Sequence, residues 1–352
     1  MTKKKSKNTK PLPRVSICTP TFNRRPFFKG LIHSILSQKY PHELIEWIIV
    51  DDGTDKIGDL VKDLPIKVKY ISVDEKMNLG KKRNFMHEQC DFKEDDAIIV
   101  YMDDDDYYPP ERVSHSVDKL IHSDALCSGA SELYIWFNTL DKMYKFGPYG
   151  PNHATAGTFA FKRKLLKSSH YEDSAVLAEE KHFLKDYTVP FIQLDPLKTI
   201  LVFSHEQNTF DKRRLIDISN PYCKESSLKV HHFVKSEEIR NFYMKDLNEL
   251  LTHYSAGDIK NKPEVLEEIK RRDEMRQQMT QQQVMISNSD GSKRPLNQSE
   301  IIQALKYKTE EVIKLQEELD KKNKYIHLII DKLRESNEKV KQLESISTEK
   351  TR

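Results

Sequence analysis

Along the first hundred residues, apolar positions come in short, nearly unbroken runs, separated by polar stretches with a helical rhythm. The runs at 15–19 (Val-Ser-Ile-Cys-Thr), 46–50 (Glu-Trp-Ile-Ile-Val), 68–73 (Val-Lys-Tyr-Ile-Ser-Val) and 97–102 (Ala-Ile-Ile-Val-Tyr-Met) have the length and β-branched content of buried strands. Residues 26–37 form an amphipathic helical pattern with Pro26 in its first turn. A second helix opens at Asn78-Leu79-Gly80-Lys81-Lys82-Arg83-Asn84, where basic side chains and free amides at a helix start suit a diphosphate. Strands alternating with helices predict an α/β fold with a doubly wound, mostly parallel sheet.

Beyond Pro110 the rhythm changes. Residues 133–137 and 143–146 predict a small antiparallel sheet, 147–157 a Gly/Pro/Asn-rich loop and 158–161 a further strand. A helix over 178–184 would carry Glu179 and Glu180 in its first turn, and 198–203 reads as a last strand, followed by Ser204-His205-Glu206-Gln207-Asn208-Thr209. Residues 229–254 read as helical, and 277–293, rich in Gln, Ser and Asn, as a linker. After Pro295, Leu305, Val312, Leu319, Ile326, Leu333 and Val340 recur every seventh residue, beside a partly polar seam at Ile301, Lys308, Leu315, Lys322, Ile329, Ser336 and Leu343. A strict seven-residue period predicts a coiled coil joining copies of the chain, since a helix docked on its own domain needs no such period. The expected layout is a disordered basic tail at 1–13, a main domain at 14–215, a helical extension at 216–275, a linker at 276–298 and the coiled coil at 299–346.

Composition narrows the function classes. Net charge is +3, which gives no bulk electrostatic case for nucleic acid. No stretch is apolar enough to span a bilayer, the amino terminus lacks a signal-peptide core, and the four cysteines show no ligand or disulfide spacing. These features predict a cytoplasmic protein with reduced thiols. The hydrophobic fraction of 37% against 32% charged residues points to a long polar segment, which the carboxyl third supplies.

The densest chemistry is Asp103-Asp104-Asp105-Asp106, directly after the fourth run and before Tyr107-Tyr108-Pro109-Pro110. Four adjacent carboxylates need positive charge nearby, and oxygen ligation of this kind suits Mg²⁺ or Mn²⁺ with phosphate oxygens completing the shell. The alternative is a solvated acidic loop, but the strand before and the Pro-Pro-Glu-Arg helix start after place the acids at a strand's carboxyl end, where open α/β sheets bind ligands. The second run also ends in acids, Asp51-Asp52-Gly53-Thr54, so the two sets could face one cleft.

With these residues placed, about residues 14–214 resemble family 2 glycosyltransferases of the GT-A fold. The motifs are Thr19-Pro20-Thr21-Phe22-Asn23-Arg24, Val50-Asp51-Asp52-Gly53-Thr54, Asn78-x-Gly80 with Arg83-Asn84, Met102 to Asp106, and Glu179-Glu180. Together with Phe203-Ser204-His205-x-x-Asn208-Thr209 they look like members encoded by giant DNA viruses, which would place the protein in host cytoplasm. The resemblance implies a metal-dependent inverting transfer of a sugar from a nucleotide-sugar, a UDP-sugar being favoured, to a glycan or protein acceptor. By it, Pro20, Thr21 and Asn23 would line the nucleoside pocket, Asp52 would bond the base, and Asp103 and Asp104 would flank the ribose and donor. Lys82 would meet phosphate, and Asp105 would ligate Mn²⁺ or Mg²⁺ with His205 assisting. Glu180 falls at the family's catalytic base, Glu179 competes with it, and Asp186 and Asp173 stand next.

Blander readings stand beside these. His205 could cap the last strand, Lys81, Lys82 and Arg83 could be a solvated helix face, and Trp136 could be core rather than an acceptor platform. Lys212, Arg213 and Arg214 could close over a diphosphate or simply end the domain. Three rival functions differ in motif. A nucleotidyltransferase carries a Gly-rich loop where Pro20-Thr21-Phe22-Asn23-Arg24 stands. An Asp-based phosphatase needs Thr or Val where Tyr107 stands. An inactive coiled-coil scaffold would have a broken acidic motif, and this one is intact.

Overall fold

The computed structural model describes residues 11–177, 180–209, 211–216, 220–281, 285–287, 291–296 and 298–349. Residues up to Arg271 form one compact unit, and residues from Arg272 onward form a second. Of the expected basic tail, residues 1–10 lie outside the described residues.

In the first unit the four early apolar runs become β1 (Val15–Thr21), β2 (Ile45–Asp51), β3 (Lys67–Ser72) and β4 (Ile98–Tyr101), with helices α1 (Phe28–Leu36), α2 (Gly58–Val61) and α3 (Leu79–Gln89) between them. α4 (Arg112–Ile121), β5 (Cys127–Gly129), β6 (Leu133–Phe137), β7 (Lys142–Phe146), β8 (Ala160–Lys162), α5 (Glu180–Phe183), β9 (Phe191–Gln193), β10 (Val202–Ser204) and β11 (Cys223–Glu225) follow. Seven strands form the main sheet in the order β3-β2-β1-β4-β8-β5-β9. β1 runs parallel to both β2 and β4, and β2 to β3, as right-handed helical crossovers require. β8 alone is antiparallel to its neighbours β4 and β5.

Alternate residues of each strand face two apolar layers. Val15, Ile17, Trp47 and Ile49 pack with α1 and α4 on one side, and Cys18, Ile48, Val50 and Tyr101 pack with α3 on the other. Burial on both faces of β1, β2 and β4 explains why they read as continuous apolar runs, whereas the edge strand β3 is half-exposed. Cys18 and Cys90, distant in sequence, meet in the second layer as free thiols with sulfurs 3.8 Å apart. The small sheet, order β10-β6-β7-β11, is mixed rather than antiparallel throughout, because β10 enters beside β6 in the parallel sense. Trp136 is core there, packed with Phe203, Phe233 and Tyr243.

The stretch expected as the last strand, 198–203, begins instead with a 3₁₀ turn at Pro196–Lys198; Leu201 makes an isolated antiparallel bridge with Tyr107, and Val202–Ser204 joins the small sheet. The helical region after β11 is broken into α6 (Val230–Phe233), α7 (Glu237–Asn241), a π-helical turn at Phe242–Asp246, and α8 (Leu247–Thr252). α9 spans Pro263–Gln281. Within the stretch expected as a linker, β12 (Met285–Ser287) pairs with β13 (Lys293–Pro295) in antiparallel sense. The heptad segment is one helix, α10 (Gln298–Glu349). Among the described residues no helix is long and apolar enough to cross a membrane.

Candidate active site

Because β2 and β4 flank β1 in parallel, their carboxyl ends and the acids that follow them emerge on one edge of the sheet. The β4 end is braced from three sides. The fully buried Arg112 guanidinium donates to the carbonyls of Tyr101 (3.3 Å), Thr158 (2.7 Å) and Phe159 (2.9 Å). Asp103 N–H donates to the Tyr108 hydroxyl at 2.6 Å, and the Tyr243 hydroxyl donates to the Asp106 carbonyl at 3.0 Å. Backbone held this way presents its side chains in one arrangement.

The two acid sets are used differently. Asp51 closes the β2 turn, accepting from the N–H groups of Gly53 and Ile57 and from the Tyr70 hydroxyl at 2.8 Å. Asp52 faces the cleft, ion-paired with Lys82 and accepting from Met77 N–H at 2.7 Å. Lys82 also donates to the Thr21 carbonyl at 3.2 Å, so the expected Thr21, Asp52 and Lys82 form one knot. Lys82 and Arg83 are therefore not a solvated face: both are buried, and Arg83 lies 3.4 Å from Asp103. Burial lowers the Lys82 ammonium against the attraction of Asp52 and Asp104. The start of α3 does not offer its amides freely. Gly80 N–H donates to the Ala175 carbonyl at 2.9 Å, and a Cβ on Gly80 would stand 2.0 Å from the Glu172 carbonyl oxygen. Lys82 and Arg83 of α3 meet the acids through their side chains.

Pro20 and Thr21 end β1 opposite Val50 and Asp51. Asn23, at φ +53°, uses its side chain as a clamp: Oδ1 accepts from Thr54 N–H (2.7 Å) and Asp55 N–H (2.9 Å), and Nδ2 donates to the Ala256 carbonyl (3.1 Å). Arg24, which the sequence reading left without a role, is buried with Nε 3.7 Å from Asp104 and Nη2 3.8 Å from Asp105.

Asp104 is pushed up to about 7 by burial, Arg24 opposing and Asp105 adding. Burial would raise Asp105 too, but the bond to His205 and the charges of Lys212 and Arg24 outweigh it and hold it well below the carboxylate range. Asp106 is turned inward, where Oδ1 accepts from Phe203 N–H at 3.4 Å and burial beside Asp105 raises it.

His205 packs on Phe27 with ring centroids 4.7 Å apart, and burial lowers its imidazole to about 4 against the pull of Asp105. Its Nε2 lies 3.2 Å from Asp105 Oδ2 and 2.7 Å from the donor Nδ2 of Asn208, while its Nδ1 is buried without a partner among the described residues. One ring nitrogen cannot donate to a carboxylate and accept from an amide together. A cation shared by Nε2 and Oδ2 would relieve the contact with the carboxylate by displacing the Asn208 amide from the nitrogen, and a neutral imidazole with an ionised carboxylate is the protonation state ligation needs. Among the described residues no three His, Cys, Asp or Glu side chains converge on one point, so such an ion would complete its shell with water and phosphate.

Glu180 begins α5, whose four residues fall short of the expected helix, and Glu179 lies outside the described residues. Burial, with the nearby carboxylates of Glu180 and Asp186, raises the Tyr187 phenol. Asp173 accepts from Asn84 Nδ2 at 2.8 Å, and Asp186 pairs with Lys181 at 3.3 Å. Arg213 bonds Asp211 at 2.9 Å and, with Arg214, His205, Ile259 and Leu266, lines a cavity of about 290 Å³.

A second missed cation comes from the extension. Lys262, 8% exposed, donates to Thr209 Oγ1 at 3.1 Å and lies 5.8 Å from the Phe22 ring centroid. Burial and Arg24 lower its ammonium to about 7, with Asp104 and Asp105 opposing. No periodicity around Lys262 distinguishes it from its solvated neighbours, so the sequence carried no signal for it.

Residues 16–174 match the family model described as glycosyl transferase family 2. A curated relative named as a teichuronic acid biosynthesis glycosyltransferase, TuaG of Bacillus subtilis (strain 168), is 28% identical over 115 residues, 32% of this chain. The matched stretch spans 42% of that relative's length. Among solved structures, S. aureus TarS 1-349 aligns with a TM-score of 0.45 at 16% identity, covering 82% of this chain and 98% of its own. The mannosyltransferase PcManGT from Pyrobaculum calidifontis, solved with GDP-Man and Mn²⁺, aligns at 0.44 and 16%, covering 59% and 66%. The stretch that matches the glycosyl transferase family 2 model, residues 16–174, contains β1 from Ser16 onward, β2 to β4 and the acids that follow β2 and β4.

Proposed function

We propose that the protein moves a sugar from a nucleoside diphosphate donor, a UDP-sugar by preference, to a hydroxyl of a glycan or protein acceptor, with inversion and with Mn²⁺ or Mg²⁺ in the donor site. The observation that carries this reading is the gathering of Asp52, Lys82, Asp104, Asp105 and His205 at the carboxyl edge of parallel strands. Asp105 and His205 would hold the ion. When bound, it acts as a Lewis acid on the departing diphosphate. Asp52, oriented by Met77 N–H and Lys82, faces the base; Asp104 stands by the ribose. Glu180 takes the acceptor's proton as the hydroxyl attacks, from the sugar face opposite the diphosphate.

The test is a panel of nucleotide-sugars with Mn²⁺ and candidate acceptors, read by nucleoside diphosphate release. Pyrophosphate release instead would point to nucleotidyl transfer. Turnover of none, with no nucleotide bound, would leave a scaffold.

The second unit supports a further part of the proposal, self-association through α10. Leu305, Val312, Leu319, Ile326 and Leu333 are between 51% and 63% exposed on one helix at a seven-residue spacing. The occupant of that stripe is a second copy of the same helix.

A further inference from the structure

The extension beyond residue 253 is built into the cleft. Its Tyr254 hydroxyl donates to Asp55 Oδ2 at 2.8 Å, its Ala256 carbonyl accepts from Asn23, and Lys76 bonds both the Asn261 carbonyl (3.1 Å) and Glu264 (2.6 Å). Gly257 packs so closely that a Cβ would stand 2.1 Å from Gln207 Oε1 and 2.9 Å from the Asn23 carbonyl oxygen. This segment thus touches the loop after β1, the loop after β2 and the strand-end segment carrying His205. Lys262 is what it delivers.

Two buried cations there are poorly satisfied. Lys262 carries three N–H donors, and Thr209 takes one; among the described residues no carboxylate lies within ion-pairing distance of it. Arg24 reaches Asp104 and Asp105 only beyond hydrogen-bond length, and its Nη1 is buried without a partner among the described residues. Arg24 and Lys82 both repel Lys262. Neutralising Asp104 and Asp105 needs no second unsatisfied cation, and a buried charge with idle donors is costly. Like charges held together with donors to spare are the furniture of an anion site. We propose that Lys262 is a donor-binding residue whose ammonium, beside Arg24, takes a phosphate oxygen of the nucleoside diphosphate, which rests on reading the cleft as a nucleotide-sugar site.

The experiment titrates the full-length protein with UDP, GDP and dTDP in the presence of Mn²⁺, and with the matching nucleosides by ligand-observed NMR. For the diphosphate that binds, Lys262→Met should weaken affinity roughly ten- to hundredfold, the loss expected for a charge-assisted bond. The nucleoside should bind the variant within about twofold, and Lys262→Arg should restore the diphosphate to within about threefold. Equal weakening of diphosphate and nucleoside would make Lys262 a structural residue only, and no weakening would dismiss it. Should Lys262→Met not fold, wild-type protein decides: the diphosphate should slow acetylation of Lys262, read by mass spectrometry, and the nucleoside should not. Equal labelling overturns the inference. Failure of all three diphosphates to bind wild type removes the nucleotide-sugar reading itself, a different result from a wild type that binds and a Met variant that binds alike.

Discussion

The two regions proposed as the donor flank and the acceptor flank are built on opposite principles. The donor flank stands on β1, β2 and β4, strands buried on both faces, and its acid loop is pinned by Arg112, Tyr108 and Tyr243. The flank bearing Glu180 stands on a four-residue helix, after which Lys185, Asp186 and Tyr187 all adopt positive φ of 51°, 54° and 63°. Three consecutive non-glycine residues in that region cost about 1 kcal/mol or more each and persist only where neighbours over-determine them. Here Phe183 and Leu184, both fully buried, hold the segment's near end in the core. The donor flank is therefore fixed before anything binds, and the other is held by a few anchors. A fixed charged flank suits an invariant group such as a diphosphate; a lightly anchored one suits an acceptor that must enter and leave.

The hardest blow to the donor flank should come at Asp105. Asp105→Asn removes the charge that the His205 bond, Lys212 and Arg24 stabilise. It should abolish the Mn²⁺-dependent part of the rise in melting temperature given by nucleoside diphosphate, leaving any metal-free part. A variant stabilised by metal and nucleotide as fully as the wild type would move the ion elsewhere and remove the contrast between the flanks.

Glu180→Gln addresses the other flank. The amide keeps the shape but cannot take a proton, so turnover should fall roughly 10²–10⁴-fold, about 3–5 kcal/mol of transition-state stabilisation. Diphosphate affinity should stay within about twofold of wild type, because the donor flank is untouched. The companion variant Glu179→Gln should turn over normally, since one carboxylate suffices as the base. If the two variants exchange phenotypes, the roles are exchanged. If both remain active, Asp186 and Asp173 are next to be replaced.

The same contrast governs what could be read in the sequence. The donor flank was legible because burial on two faces writes itself as unbroken apolar runs, and Asp52 and Asp103–Asp106 are where those runs stop. His205 was legible because it follows a strand directly. Lys82 was assigned to phosphate only through its family motif; its bland reading as a solvated face failed because burial beside Asp52 is a tertiary fact. Arg24 and Arg112 left no trace, since an isolated arginine looks alike whether it caps carbonyls or meets solvent. The helix expected over 178–184 ends at Phe183, one residue early and just ahead of the positive φ at Lys185, and its first two residues lie outside the described residues. The parallel entry of β10 was missed because three paired residues carry too short a pattern to show direction.

Arg112→Met tests whether the bracing is what fixes the donor flank. The change strands the carbonyls of Tyr101 and Thr158 in a buried setting, a loss on the order of 3 kcal/mol in stability, read as a lower denaturation midpoint with unchanged slope. Diphosphate affinity should weaken as well, because the acid loop hangs from the same backbone. Lost stability with undiminished affinity would show that Tyr108 and Tyr243 suffice to hold the loop.

The smallest effect on chemistry is expected from removing α10, which lies in the second compact unit while every residue assigned to the cleft lies in the first. A chain ending at Leu296 keeps the β12–β13 pair and loses the whole exposed heptad stripe. Per-subunit turnover should remain within about twofold, since no group bearing on donor or acceptor has been touched. Particle mass by light scattering should drop to that of one chain, because exposed apolar heptads bury themselves only against a partner helix. Equal association numbers for the two chains would mean that the stripe is not what joins them. A truncated chain that also lost donor affinity would instead show that the second unit supports the fixed flank, and the division between a rigid donor side and everything else would have to be redrawn to include it.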